Sequence, residues 1–158
     1  MPEPLDYRAL VGLQQALQGI SVAAGYFYDV RGTAVKLDPN HDVPELAAPD
    51  GPRPFVVLEI QPEEWEYAGA MAVKVRIPVA VHWISESNPE RDHDVLQVFL
   101  RGCSDVERAI GKDVTLGNLV RDTKITRRTF ERAVDGSEVW AVVQTVMVIN
   151  RVFGEPAP

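Results

Sequence analysis

Hydrophobic and polar positions change their period several times along this chain, and each change predicts an element. The clearest signal is VKVRIPVAVHW, where Val73, Val75, Ile77, Val79, Val81 and Trp83 alternate with Lys74, Arg76, Pro78, Ala80 and His82. A period of two predicts a strand with one buried face. Pro78 has no N–H for a ladder, so the strand must bend there, carry a bulge or have a free edge. Over residues 4–20 the period is helical instead. Leu5, Leu10, Leu13, Leu17 and Ile20 form an apolar stripe, with Arg8, Gln14, Gln15 and Gln18 on other faces. Gly19 and Gly25 bracket the end of that helix. Tyr26-Phe27-Tyr28 predicts a short strand, Asp29 to Gly32 a turn, and Ala34 to Leu37 the returning strand.

Residues 38–54 are rich in Pro, Asp and Gly and predict a long irregular surface loop, an interaction segment or a mobile one. Phe55 to Ile60 is an apolar strand broken only by Glu59, and QPEEWEYAGA follows it. Asn88-Pro89-Glu90 predicts the start of a second helix, with Asn88 as cap, Pro89 at the first helical position and Glu90, Asp92 and Asp94 at the positive end of the dipole. Its stripe is Val95, Leu96, Phe99, Leu100, Cys103, Val106 and Ile110, and Gly111 marks its end. Residues 115–120 predict a short turn or helical piece. Residues 123–133 and 138–152 predict two strands joined at Asp135-Gly136. The last strand is apolar on both faces in its middle, which predicts a central position, covered by helices on one side and by a partner on the other. The order α-β-β-β-β-α-β-β defines an α+β fold: an antiparallel or mixed β-sheet with two main helices packed on it.

Composition narrows the function more than the fold. A chain of 158 residues fits one domain spanning 1–158, with a short tail from residue 154. No apolar run approaches the ~18 residues of a membrane span, and no signal-peptide pattern opens the chain. The single cysteine, Cys103, falls at an apolar helix position, as a small buried side chain, consistent with a reducing compartment. A net charge of −7 makes tight binding of a phosphate backbone a poor fit, although such a surface can surround DNA without gripping it.

The usual chemical signatures are missing: there is no GxGxxG after a strand, no Walker loop, no HExxH, no GxSxG and no paired CxxC. No catalytic residue, metal ligand or cofactor is expected. Asp92-His93-Asp94, with His41-Asp42 as a partner, resembles a metal set, but neighbouring helix residues diverge and a solvated acidic first turn explains the trio. His82 reads as an ordinary surface or satisfied histidine. Glu63, Glu64 and Glu66 surround Trp65 and Tyr67 in either an exposed hairpin tip or a contact loop anchored on a protein partner by its aromatics. Lys124, Arg127, Arg128 and Arg132 form a basic patch, with Arg128 and Arg132 on one face and Arg127 on the other. In an acidic chain such cations suit the carboxylates of a neighbouring subunit better than nucleic acid.

Taken in order, these features resemble the tail terminator family of long-tailed bacteriophages and gene transfer agents. An N-terminal helix runs into GYFYDV; PFVVLEI precedes an acidic aromatic segment; VKVRIPVAVHW leads to a helix ending DVERAIGKD; TLGNLV follows; and a hairpin closes with VMVINRVF. The likeness spans residues 5–153. Asn118 stands where the family commonly has a second glycine, and Asn150 where it often has an aromatic. The resemblance implies a structural virion protein at the head–tail junction, assembled in the host cytoplasm. It implies a homo-oligomeric ring, usually a hexamer, that caps the head-proximal end of the tail tube and ends its polymerisation. Its partners would be the tail tube protein and a head–tail connector or neck protein, with DNA passing through the bore unbound and no membrane involved. Two alternatives stay open: another neck or tail-completion protein, or a small-molecule-binding or hydrolytic α/β domain using His82, His93 and the acidic loop.

Overall fold

A computed structural model describes residues 3–36, 40, 42–47, 51–67, 69, 71–88, 90, 94–132 and 137–152. Two strands run through its centre. β4 (Ala72–Glu86) and β6 (Glu138–Val152) pair antiparallel in unbroken register from Ala72–Val152 to Glu86–Glu138. β5 (Asp122–Arg132) flanks β6 on one side. β2 (Phe55–Ile60) flanks β4 on the other, and β1 (Gly32–Lys36) pairs parallel with β2 at the far edge. The sheet is mixed and the fold is α+β.

The alternation around Val73–Trp83 is as predicted, and the proline in it has a specific place. β2 pairs with β4 residues 79–84, whereas a short strand β3 (Glu64–Tyr67) pairs with residues 73–76 on the same side. Pro78 lies in the gap between them, and its carbonyl accepts 2.9 Å from the Gln61 N–H. In a strand a residue's N and C=O point the same way, so the missing N–H faces a position where no ladder partner stands. Of the three outcomes open to Pro78, the free edge is the one observed. The segment expected as a hairpin tip is this strand β3.

One face of the sheet carries the two long helices. On it Val73, Val75, Ile77, Val79, Val81 and Trp83 of β4 join Val139, Ala141, Val143, Met147 and Ile149 of β6, all buried. Each of the valine, isoleucine and methionine side chains contributes about 1.5–3 kcal/mol on leaving water. α1 (Leu5–Gln18) buries Ala9, Leu10, Leu13 and Leu17 against it, close to the predicted stripe. α3 (Asp94–Lys112) buries Val98, Gly102, Cys103, Val106, Ala109 and Ile110. Its inward face is therefore turned from the one predicted: Leu96 and Leu100, placed in the stripe, are 53% and 44% exposed. Asn88 acts just ahead of the helix. Its Oδ1 accepts from the Glu90 N–H, and its own N–H donates to Asp94. Pro89, Leu37, the Asp135-Gly136 turn and the tail from 154 lie outside the described residues.

Two further predictions fail. Tyr26-Phe27-Tyr28 is not a strand. The N–H groups of Phe27 and Tyr28 donate at 3.0 and 2.9 Å to the carboxylate of Asp105, a fully buried residue on α3. With those donors taken by a side chain, the segment has no ladder to join. Arg108 completes the attachment by donating to the Gly25 carbonyl and lying over the Tyr26 ring. The irregular stretch 38–54 also contains structure, a short helix α2 (Val43–Ala47) packed on the opposite face of the sheet. Val43 and Ala47 meet Val57, Ile84 and Trp140 there. The central last strand is thus covered by α3 on one face and, at one end of the other, by the chain's own α2.

The turn after α3 explains the unusual Asn118. Leu116, Gly117 and Asn118 have φ of 50°, 69° and 65°, and asparagine is a residue that tolerates this left-handed region. Asp113 holds the turn by accepting from the Thr115 and Gly117 N–H groups, and the Thr115 hydroxyl chiefly draws its pKa down.

Where α3 crosses β4, the Trp83 indole lies on Gly102, and a Cβ there would sit 2.5 Å from Nε1. Gly102→Ala is therefore expected to destabilise the protein by about 1–3 kcal/mol through overpacking. Gly111→Ala, with nothing within 4 Å of the added carbon, should be neutral or stabilising by up to about 1 kcal/mol. Urea denaturation of the two variants tests the contrast.

Candidate functional site

The predicted site residues divide between opposite edges of the sheet. Glu63, Glu64, Trp65, Glu66 and Tyr67 lie on or beside β3, and Lys124, Arg127, Arg128 and Arg132 lie on β5. The fold does not bring the two groups together within the chain.

On β3 the alternation separates carboxylates from aromatics. Glu64 and Glu66 pair in register with Arg76 and Lys74 on the face away from the long helices, and Glu66 bonds Arg76 at 3.1 Å. Trp65 and Tyr67 pair with Val75 and Val73 on the helix side. They are 41% and 65% exposed. The Trp65 indole donates to Glu63 at 3.0 Å, and the Arg151 guanidinium lies 5.8 Å from its ring centre. Met71, preceding β4, and Val152, ending β6, are also exposed at this end of the sheet. Trp65, Tyr67 and Met71 give this end the composition of a protein contact, whereas Val152, in register with Ala72, projects from the opposite face of the sheet. The hairpin pattern pointed to Trp65 and Tyr67. Met71 became visible only through the register that sets β3 beside the start of β4.

On β5 a bulge between Ile125 and Arg127 resets the alternation. Lys124 and Arg127 consequently share the face away from the helices, whereas Arg128 falls on the helix side. Arg128 does not wait for a neighbouring subunit: both carboxylate oxygens of Glu107 on α3 take its guanidinium. Lys124 is 3.6 Å from Asp122. Arg127 is exposed and has no acidic partner among the described residues. The register sets Arg132 opposite Val139, but its side chain lies outside the described residues.

His82 is on the predicted side of β4, yet it is buried and not a surface residue. Its Nδ1 accepts from the Trp140 indole N–H at 3.0 Å, so its proton resides on Nε2, which faces Glu59 at 3.3 Å. Glu59 also binds Lys36 at 2.9 Å. This chain of contacts joins β1, β2, β4 and β6 and leaves neither ring nitrogen for a substrate. Burial lowers the His82 pKa below 6.5 and outweighs the opposing pull of Glu59. The Lys36 hydrogen bond holds the Glu59 pKa below 4.5. Cys103 is buried with its thiol pushed up to about 11, which makes it unreactive. His41, Asp92 and His93 lie outside the described residues, and among the described residues no group of three His, Cys, Asp or Glu side chains gathers as a metal set.

No protein-family model matches the chain. No curated protein matches it. Among solved structures, it is similar to a chain described as "Virion of native gene transfer agent (GTA) particle", at 9% sequence identity and a TM-score of 0.44 over 88% of this chain and 92% of that one.

The His82 network predicts a pH dependence of defined sign. The folded pKa lies below that of the unfolded chain, so the unfolded chain takes up its proton first as pH falls. Its stabilising contribution is complete above about pH 6.5 and is lost progressively on acidification through the folded pKa. Glu59 adds a second loss of the same sign below about pH 4.5. Chemical denaturation of wild type between about pH 7.5 and 5 should show falling stability, and His82→Gln should flatten the first part of that slope.

Proposed function

We propose that this chain is a structural virion protein of the tail-terminator kind. It forms a homo-oligomeric ring at the head–tail junction that caps the tail tube, ends its polymerisation and presents a face to the head connector. The observation that carries the reading is the exposure of Trp65, Tyr67 and Met71 at one end of the sheet. Such a patch serves contact with another protein, and it stands in a chain whose buried His82 and Cys103 are both committed to the interior. The order of sequence features shared with the tail terminator family supplies the identity of the assembly. A hydrolytic reading gains no base from His82, both of whose ring nitrogens are engaged. The acidic balance of the chain suits a bore through which DNA slides without being held.

In this reading the β3 end meets the tail tube protein, with Trp65 and Tyr67 as anchors and Glu63 and Glu64 at the rim. Purified protein, alone or with tube protein, is expected to give closed rings by mass photometry and negative-stain imaging. Trp65→Ala should weaken binding to tube protein by at least about tenfold with an unchanged melting temperature. A chain that stays monomeric and also ignores tube protein and connector would overturn the proposal, and unchanged affinity in Trp65→Ala would remove that residue from it.

A further inference from the structure

The two lateral edges of this sheet differ in a way that the β3 patch does not account for. On the β5 side, Leu96 and Leu100 project from α3 on the flank that also carries Glu107 toward Arg128. Phe130 of β5, stacked edge-on against Phe99 at 5.2 Å, is exposed as well. Together they make a raised apolar ridge. On the β1 side, Tyr7, Leu10, Val11 and Gln14 of α1 and Val35 of β1 line a pocket of about 240 Å³. The ridge and the pocket both belong to the helix layer, at opposite ends of the strand order.

We propose that these edges bind each other between copies of this chain: the Leu96–Leu100–Phe130 ridge of one subunit seats in the Tyr7–Val11–Val35 pocket of the next. This deepens the ring reading above and rests on it. Register sets the two features at one height. Thr33, Val56, Trp83, Ala141 and Phe130 form one row across five strands, and Val35 lies two residues from that row. A neighbour moved sideways with little rise therefore brings ridge to pocket, the condition for a head-to-tail contact to close as a ring and not climb as a filament.

Charge follows the same direction. At the lower level of the sheet, Glu64, Arg76, Val148 and Asp122 form a row. Glu64 stands exposed on the β3 side of it, and Arg121 stands exposed on the β5 side, one residue before Asp122. Glu64, Arg121 and Arg127 have no ion-pair partner among the described residues. The acidic remainder of one edge thus faces the basic remainder of the other across the same junction. The bulge at Ile125/Arg127 and the cations of β5 discourage direct strand pairing at this edge, so the contact is one of side chains.

The test uses the full chain and its self-association by mass photometry across a concentration series. Leu100→Asp on the ridge and Tyr7→Asp at the pocket should each weaken association at least about tenfold. Both positions are exposed, and an unchanged melting temperature checks that each variant folds. Mixed together, the two variants retain one good ridge and one good pocket between them, so they should form a dimer and no ring. Arg121→Glu and Glu64→Arg should each weaken association by about fivefold, and the double variant should recover to within about twofold of wild type. Rings of unchanged strength in Leu100→Asp, a mixture that forms no dimer, or a wild type that is monomeric throughout would overturn this interface. The cap reading is judged separately, because monomeric Leu100→Asp should still bind tube protein through Trp65.

Discussion

The fifteen-residue antiparallel ladder between β4 and β6 is the constraint on which the rest of the molecule depends. Its register allows one arrangement of inward side chains, because a slip of one residue would send Val75, Ile77 and Val79 to the other face and bring Arg76 and Pro78 inward. The two long helices, the flanking strands β2, β3 and β5 and the Glu59–His82–Trp140 contacts take their positions from it. The same register decides what lies at the edges, and the proposed functional surfaces are edge features.

The ladder was legible in the sequence because its signal is local and repeated. Alternation over Val73–Trp83 and an apolar run over 138–152 leave few other folds, and the α+β class follows from the order of elements. What escaped was decided by distant partners. Tyr26-Phe27-Tyr28 has the composition of a strand, but the residue that claims its N–H groups is Asp105, seventy-eight positions on from Phe27. Leu96 and Leu100 fit the helical period of α3, yet the centre of its buried face is set by where Gly102 meets Trp83, a close approach that no periodicity reports.

The candidate surfaces were legible to a similar depth. Trp65 and Tyr67 stood out as aromatics in a polar segment, and they are exposed. The basic cluster on β5 was visible as a cluster, but its separation was not. A bulge redirects Lys124 and Arg127, and a carboxylate from α3 takes Arg128. His82 looked unremarkable in its strand because its two partners, Glu59 and Trp140, come from elements on either side of β4.

Pro78 has an effect that reaches past its own strand. By dividing the margin of β4 into an upper berth for β2 and a lower one for β3, it makes the aromatic strand an appendage with its own attachment. Insertions, deletions or reversals of charge between residues 61 and 71 then fall on a segment whose loss leaves the hydrophobic interior above it intact. A lineage can retarget this end of the molecule by rewriting that short stretch, while the scaffold that carries it stays the same.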